Sequence, residues 1–223
     1  MAQTDTVAKV DETVEVQEAE DILPPLIESG MDPLVPCYAS PPVETTSQHY
    51  SLKSKNVKVN RSARLLYVKG VNEILAGHDC IFCSEVIVRA DIAAVTLGRN
   101  VYVGALSVIR PPLSYRSNKI KAYDVIIGDY VYIGSAVVTE AISIGNCVII
   151  EDKCVLGSKS VIYDCVKILP NTVVPPETVL PPLTVWSGSP ARCIGKLHED
   201  AAFEIRDFVT AATAVHVKQM DSQ

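Results

Sequence analysis

From Ile144 to Ala191 the chain falls without a break into eight six-residue blocks: IGNCVI, IEDKCV, LGSKSV, IYDCVK, ILPNTV, VPPETV, LPPLTV and WSGSPA. The lead positions, Ile144, Ile150, Leu156, Ile162, Ile168, Val174, Leu180 and Trp186, are all large and apolar. The fifth positions, Val148, Cys154, Ser160, Val166, Thr172, Thr178 and Thr184, are small or β-branched. A helix repeats near 3.6 residues and an amphipathic strand every two, so a strict period of six describes neither. It is a solenoid period: each block supplies a short strand and a corner, and three blocks close a triangular coil. Coils built this way stack Ile144 on Ile162 and Leu180, Ile150 on Ile168 and Trp186, and Leu156 on Val174. The lead side chains point inward as ladders and form the core, and each coil is hydrogen-bonded by its neighbours at about 4.8 Å.

The same period is traceable upstream. IFCSEV and IVRADI place leads at Ile81 and Ile87, Ala93 to Thr96 read as a corner adjustment, and the register resumes at Leu97, Val103 and Ile109. Near Arg110 the repeat stops, and residues 111–124 read as a loop projecting from the solenoid before Ile127 and Ile133 resume it. From about Val57 to Ala191 this amounts to roughly seven coils. After Gly195 the apolar spacing changes to steps of three and four. Ala201, Ile205, Phe208, Ala212 and Val215 predict a helix, with Glu199 and Asp200 at its positive end and one flat face of the prism beneath it. The expected organisation is therefore a disordered acidic, proline-rich tail over 1–48, a β-helix over 49–195 and a helix packed on it over 196–223.

Charge supports that division. Eight acids against Lys9 in the first 28 residues account for the formal net charge of −6, leaving the body nearly neutral. A neutral body argues against nucleic acid as a partner. No apolar stretch approaches a membrane span, so no direct membrane insertion is expected and the cytoplasm is the expected location. Seven cysteines, scattered through apolar repeat positions, read as reduced structural thiols.

The hexads resemble those of the hexapeptide-repeat, left-handed β-helix proteins, and that resemblance implies the left-handed coil. The stretch KILPNTVVPPETVLPPLTVWSGSPA is similar to the end of the dynactin subunit 5 family. The similarity continues upstream through VIVRADIAAVTLG and SVIRPP, and more weakly to YSLKSKNVKVNRS near Tyr50. It implies a non-catalytic scaffold of the dynactin pointed-end complex, associated with the cytoskeleton and helping to link the dynein motor to cargo such as endosomes. Partners implied are dynactin subunit 6, a larger pointed-end subunit, an actin-related protein and cargo adaptors.

The same fold also carries enzymes. Gamma-class carbonic anhydrases share the pattern around Arg89, Asp91 and Gly98, and their zinc needs three histidines on neighbouring coils. The matching positions fall near Arg110, Ser135 and Glu140, none a histidine. Hexapeptide acyltransferases use a histidine base between coils, whereas His49, His78, His198 and His216 lie before, near the start of, and after the repeats. No catalytic, cofactor or metal residue is therefore assigned; a carbonic-anhydrase-like metalloenzyme or an acyltransferase is the alternative. Cys80 and Cys83 form an isolated CxxC whose members point to opposite strand faces. Arg89 and Asp91 are expected to pair on one face. Candidates for protein contact are Arg110, Pro111 and Pro112 at the loop's root, with Arg116, Lys119 and Lys121 as a local basic cluster on it.

Overall fold

The computed structural model describes residues 56–67, 72–116 and 119–220, without the side chains of residues 116, 119 and 218–220. The expected tail over 1–48 lies outside the described residues. The body is a left-handed parallel β-helix with one sheet per face. The first face has eight strands and the second and third have six each.

The ladders follow the hexads. Ile144 lies opposite Ile162 and Ile162 opposite Leu180, Ile150 opposite Ile168 and Ile168 opposite Trp186, and Leu156 opposite Val174. All of these except Trp186 are buried. Cys154, in a fifth position, is also inside, where its thiol donates to the Leu169 carbonyl at 3.0 Å.

The corner residues explain why the blocks read as they do. At the second position a Cβ on Gly128 would lie 2.7 Å from the Gly145 carbonyl oxygen, so any side chain would force two coils apart. At the third, a short Asp or Asn reaches down one coil: Arg99 N–H donates to Asp129 Oδ1 at 2.7 Å, Asp129 N–H to Asn146 Oδ1 at 2.9 Å, and Asn146 N–H to Asp164 Oδ1 at 2.6 Å. At the fourth, the chain turns through the left-handed region even without glycine, with φ of 56° at Tyr130, 54° at Cys147 and 53° at Cys165. That conformation costs about 1–2 kcal/mol per residue. It is offset by backbone hydrogen bonds between coils, such as Cys147 N–H to the Asp129 carbonyl and Cys165 N–H to the Asn146 carbonyl, both 2.9 Å.

Three expectations are corrected. First, Phe82 rather than Ile81 lies opposite Val103, and Val88 rather than Ile87 opposite Ile109. In each pair both residues are apolar, so hydropathy did not distinguish the inward one. Second, there are six complete coils rather than roughly seven. The early coils are longer: one turn runs from Val59 to Phe82, against Ile150 to Ile168 later. A seventh begins with Thr184–Ser187, but Arg192–Lys196 folds back antiparallel on it and ends the first face. Third, residues 111–124 are not merely a loop. Leu113–Arg116 and Lys119–Ala122 pair as an antiparallel hairpin.

The C-terminal helix, Ala201–Met220, is 20 residues and about 30 Å long, close to the roughly 29 Å of six stacked coils. It lies against the first face, where Ala201, Ile205 and Val209 are buried with Cys147 and Ile149, and where Tyr130, Tyr132, Cys165 and Leu183 pack around them. The expected stripe is rotated: Phe208 and Val215 are 47% and 53% exposed. Thr213 completes the buried row instead. Its hydroxyl donates to the Thr210 carbonyl at 2.8 Å, which satisfies a polar residue facing the sheet.

Candidate interaction surface

The corner between the second and third faces gathers most of the residues singled out in the sequence. Arg89 and Asp91 form a two-pronged pair, Nε to Oδ1 at 3.1 Å and Nη2 to Oδ2 at 2.6 Å, and the Asp91 hydrogen bond raises the already high pKa of the guanidinium. On the next coils Arg110 and Glu140 form an ion pair. Two of the three positions where a zinc site would need histidines are thus engaged with each other. The third, Ser135, is an exposed corner residue whose N–H donates to Asp152 Oδ1 at 2.7 Å. Among the described residues no three of His, Cys, Asp and Glu converge as metal ligands would.

Pro111 and Pro112 are buried and root the hairpin. Register places Ser114 opposite Lys121 on one flank, and Leu113 opposite Ala122 and Tyr115 opposite Ile120 on the other. The Ser114–Lys121 flank is engaged. Lys159, from a corner of the fifth coil, donates to Ser114 Oγ at 3.3 Å and to Glu177 Oε1 at 3.1 Å. The Tyr123 ring lies beneath both Lys121 Nζ, at 4.9 Å, and Lys159 Nζ, at 5.7 Å. Arg116 and Lys119 pair through their backbones at the closed end, and their side chains lie outside the described residues. The other flank is largely exposed: Tyr115 is 69% exposed, Ile120 56% and Leu113 49%. Sequence reasoning missed Lys159, Tyr123 and this apolar flank. The signal was present in the alternation LSYR and KIKA around the polar pair Ser117-Asn118.

The remaining chemistry-bearing residues serve packing. Cys80 is inward, donating to the Gly98 carbonyl at 3.1 Å, and burial pushes its thiol up to about 11. Cys83 points the other way, donating to the Tyr102 hydroxyl at 3.2 Å; burial raises its pKa too. Tyr102 stacks on Tyr132 at 4.9 Å, and its hydroxyl lies 2.9 Å from His216 Nε2. His216 thereby pins the far part of the helix. His78 occupies an exposed corner of the coils, closer to the repeat than its place in the sequence suggested. Cys147 is buried beneath the helix, and burial raises its pKa to about 11. Cys165, stacked on it, is half-buried. Among the described residues no helix is long and apolar enough to cross a membrane.

A family model described as dynactin subunit 5 matches residues 45–216, from just before the first coil to His216 in the helix. The chain belongs to the dynactin subunit 5 family. Solved structures similar to this member of the dynactin subunit 5 family include a hexapeptide transferase family protein from Anaplasma phagocytophilum. It is 14% identical, covers 71% of this chain and 90% of that one, and has a TM-score of 0.53. A hexapeptide-repeat-containing acetyltransferase from Vibrio cholerae is 20% identical over 67% of this chain and 76% of that one, with a TM-score of 0.46. At such identities the first likeness shows the fold alone.

Proposed function

We propose that this chain is a non-catalytic scaffold subunit of dynactin, placed in the cytoplasm with the cytoskeleton. In this reading it sits in the pointed-end complex beside dynactin subunit 6, a larger pointed-end subunit and an actin-related protein. There it helps link the dynein motor, through cargo adaptors, to cargo such as endosomes. Family membership over residues 45–216 supports the assignment to the complex. The observation that carries the non-catalytic part is the Arg110–Glu140 ion pair. It occupies adjacent coils where a fold relative would need metal-ligating imidazoles, and a guanidinium does not bind a metal cation. Arg110, Pro111, Pro112, Arg116, Lys119 and Lys121 are proposed as the contact region, the prolines and Arg110 holding the hairpin's root and the others acting beyond it.

The test is affinity purification of the tagged full chain from its own cells, followed by identification of the chains recovered with it. Recovery of the actin-related protein and a second hexapeptide subunit in fixed proportion is expected. A tagged chain that emerges without any dynactin or dynein component removes the proposal.

A further inference from the structure

We propose that Cys147 and Cys165 form a site of reversible oxidation, where a low-molecular-weight disulfide such as glutathione disulfide converts the two thiols into a coil-to-coil disulfide. The site stands apart from the proposed function and holds whether or not the chain is part of dynactin.

Both cysteines occupy the fourth position of their blocks, IGNCVI and IYDCVK, one full coil apart. The register that sets Ile149 opposite Lys167 and Ile150 opposite Ile168 continues back through this corner. There Asn146 N–H donates to Asp164 Oδ1 at 2.6 Å and Cys165 N–H to the Asn146 carbonyl at 2.9 Å. Both residues turn through the left-handed region with nearly the same φ, 54° and 53°. Identical side chains on matching backbone leave the corner in the same direction, one above the other. A coil spacing of about 4.8 Å lies inside the range of about 4.4–6.8 Å that a disulfide spans between Cα atoms. The bond therefore needs rotation of two side chains while the coils keep their spacing. The other described cysteines point elsewhere: Cys80 to the Gly98 carbonyl, Cys83 to the Tyr102 hydroxyl and Cys154 to the Leu169 carbonyl, with Cys193 on the final antiparallel strand.

Access sets the order of steps. Cys147 is 7% exposed in the cluster that holds Ala201, Ile205 and Val209, whereas Cys165, packed against that cluster, is half-buried. Cys165 is therefore the entry point. It loses its proton to solvent and attacks one sulfur of glutathione disulfide, forming a mixed disulfide and expelling a glutathione thiolate that takes up a proton. Cys147 then loses its proton to solvent and attacks Sγ of Cys165. The Cys147–Cys165 bond closes, and the second glutathione leaves and is protonated in turn. Two protein thiols are oxidised, and one glutathione disulfide is reduced to two thiols. Entry is slow, because burial raises the pKa of Cys165 and disfavours its thiolate. Closure is favoured, because the corner already holds the two sulfurs side by side at high effective concentration.

The experiment uses the full chain with Cys37→Ser and Cys193→Ser, which leaves both members of the pair intact. It is incubated with glutathione disulfide at about pH 8, alkylated, and mapped by mass spectrometry without reduction. The expected product is a linked Cys147–Cys165 peptide pair in most chains, with two hydrogens lost from the intact mass. The urea midpoint should rise and return on treatment with dithiothreitol, since the bond constrains the unfolded chain. Adding Cys147→Ala should stop the reaction at a Cys165–glutathione adduct. Adding Cys165→Ala should leave Cys147 to react about tenfold more slowly than Cys165 does in the Cys147→Ala chain.

Three results overturn the inference: linked peptides that join other cysteines only, a Cys165–glutathione adduct that persists in the chain retaining Cys147, and an intact mass unchanged in a chain that circular dichroism shows to be folded. Equal rates for the two single-cysteine variants would overturn the order of steps. The pairing map needs no substitution within the pair, so it decides the outcome even where one of those variants folds poorly.

Discussion

Ile205→Ala tests the seating of the C-terminal helix, because Ile205 and Phe208 looked equivalent in the sequence and are not equivalent in the structure. Ile205 is 5% exposed among Cys147, Ile149 and Val209, whereas Phe208 is 47% exposed and meets Tyr132 edge-on at a centroid distance of 5.2 Å. Removing three carbon groups from Ile205 forfeits about 2.4 kcal/mol of transfer free energy at about 0.8 per group. A cavity against hydrogen-bonded coils that cannot collapse brings the total to about 3 kcal/mol. Phe208→Ala loses one edge contact and half a buried ring, about 1 kcal/mol. In a chain of this size about 3 kcal/mol lowers Tm by roughly 6–12 °C if helix and solenoid melt together. Urea and thermal melts followed at 222 nm should rank Ile205→Ala well below Phe208→Ala. If the helix detaches first, the same ranking appears in an early helical transition. Equal losses for the two variants, or no loss for Ile205→Ala, would refute the seating of the helix on the first face.

Other consequences are as direct. Gly157→Ala would bring a Cβ within 2.5 Å of Pro176 N and 2.6 Å of Pro175 C, so this corner methyl should destabilise by about 1–3 kcal/mol, read as a shift in the urea midpoint. Cys193 is the exposed thiol of the described residues, and at pH 8 it should react with a thiol reagent far faster than Cys80 or Cys147, whose thiols burial raises to about 11; rapid labelling of either would contradict their burial. Burial pushes the Asp129 carboxyl up, but hydrogen bonds from the Arg99 side chain and backbone, with the Arg99 charge, hold it below its usual value of 3.8. A depressed folded pKa contributes stability above the unfolded pKa that is lost as pH falls through the folded one, so Asp129→Asn should flatten the stability profile below about pH 4. Metal analysis of the purified chain should find no stoichiometric zinc; one zinc per chain, lost on Glu140→Ala, would contradict the non-catalytic reading.

The regular coils were legible because their residues have one role each. From Ile144 onward each lead is the large apolar residue of its block, while the inward fifth position takes a smaller one such as Cys154, so the ladders were legible from the spacing alone. Legibility failed where two residues competed. Ile81 and Phe82 are both apolar, and only the strand register, which sets Phe82 opposite Val103, tells them apart. Thr213 and Phe208 competed for the helix stripe. A hydroxyl satisfied by its own helix made the threonine acceptable inside, while the aromatic settled at an edge. At the hairpin, the proline pair and four basic residues masked a short two-residue alternation. The partner that fixes its orientation, Lys159, lies on a coil far along the chain, a relation no local pattern encodes.

Sedimentation of a gentle extract from the protein's own cells distinguishes the proposed structural part of dynactin from an enzyme acting on its own. A chain of 24.1 kDa acting alone sediments slowly. As a dynactin subunit, nearly all of it should sediment fast, in the fractions that hold the actin-related protein, and shift with them when that protein is depleted. A chain that remains in the slow fractions, indifferent to that depletion, would contradict it.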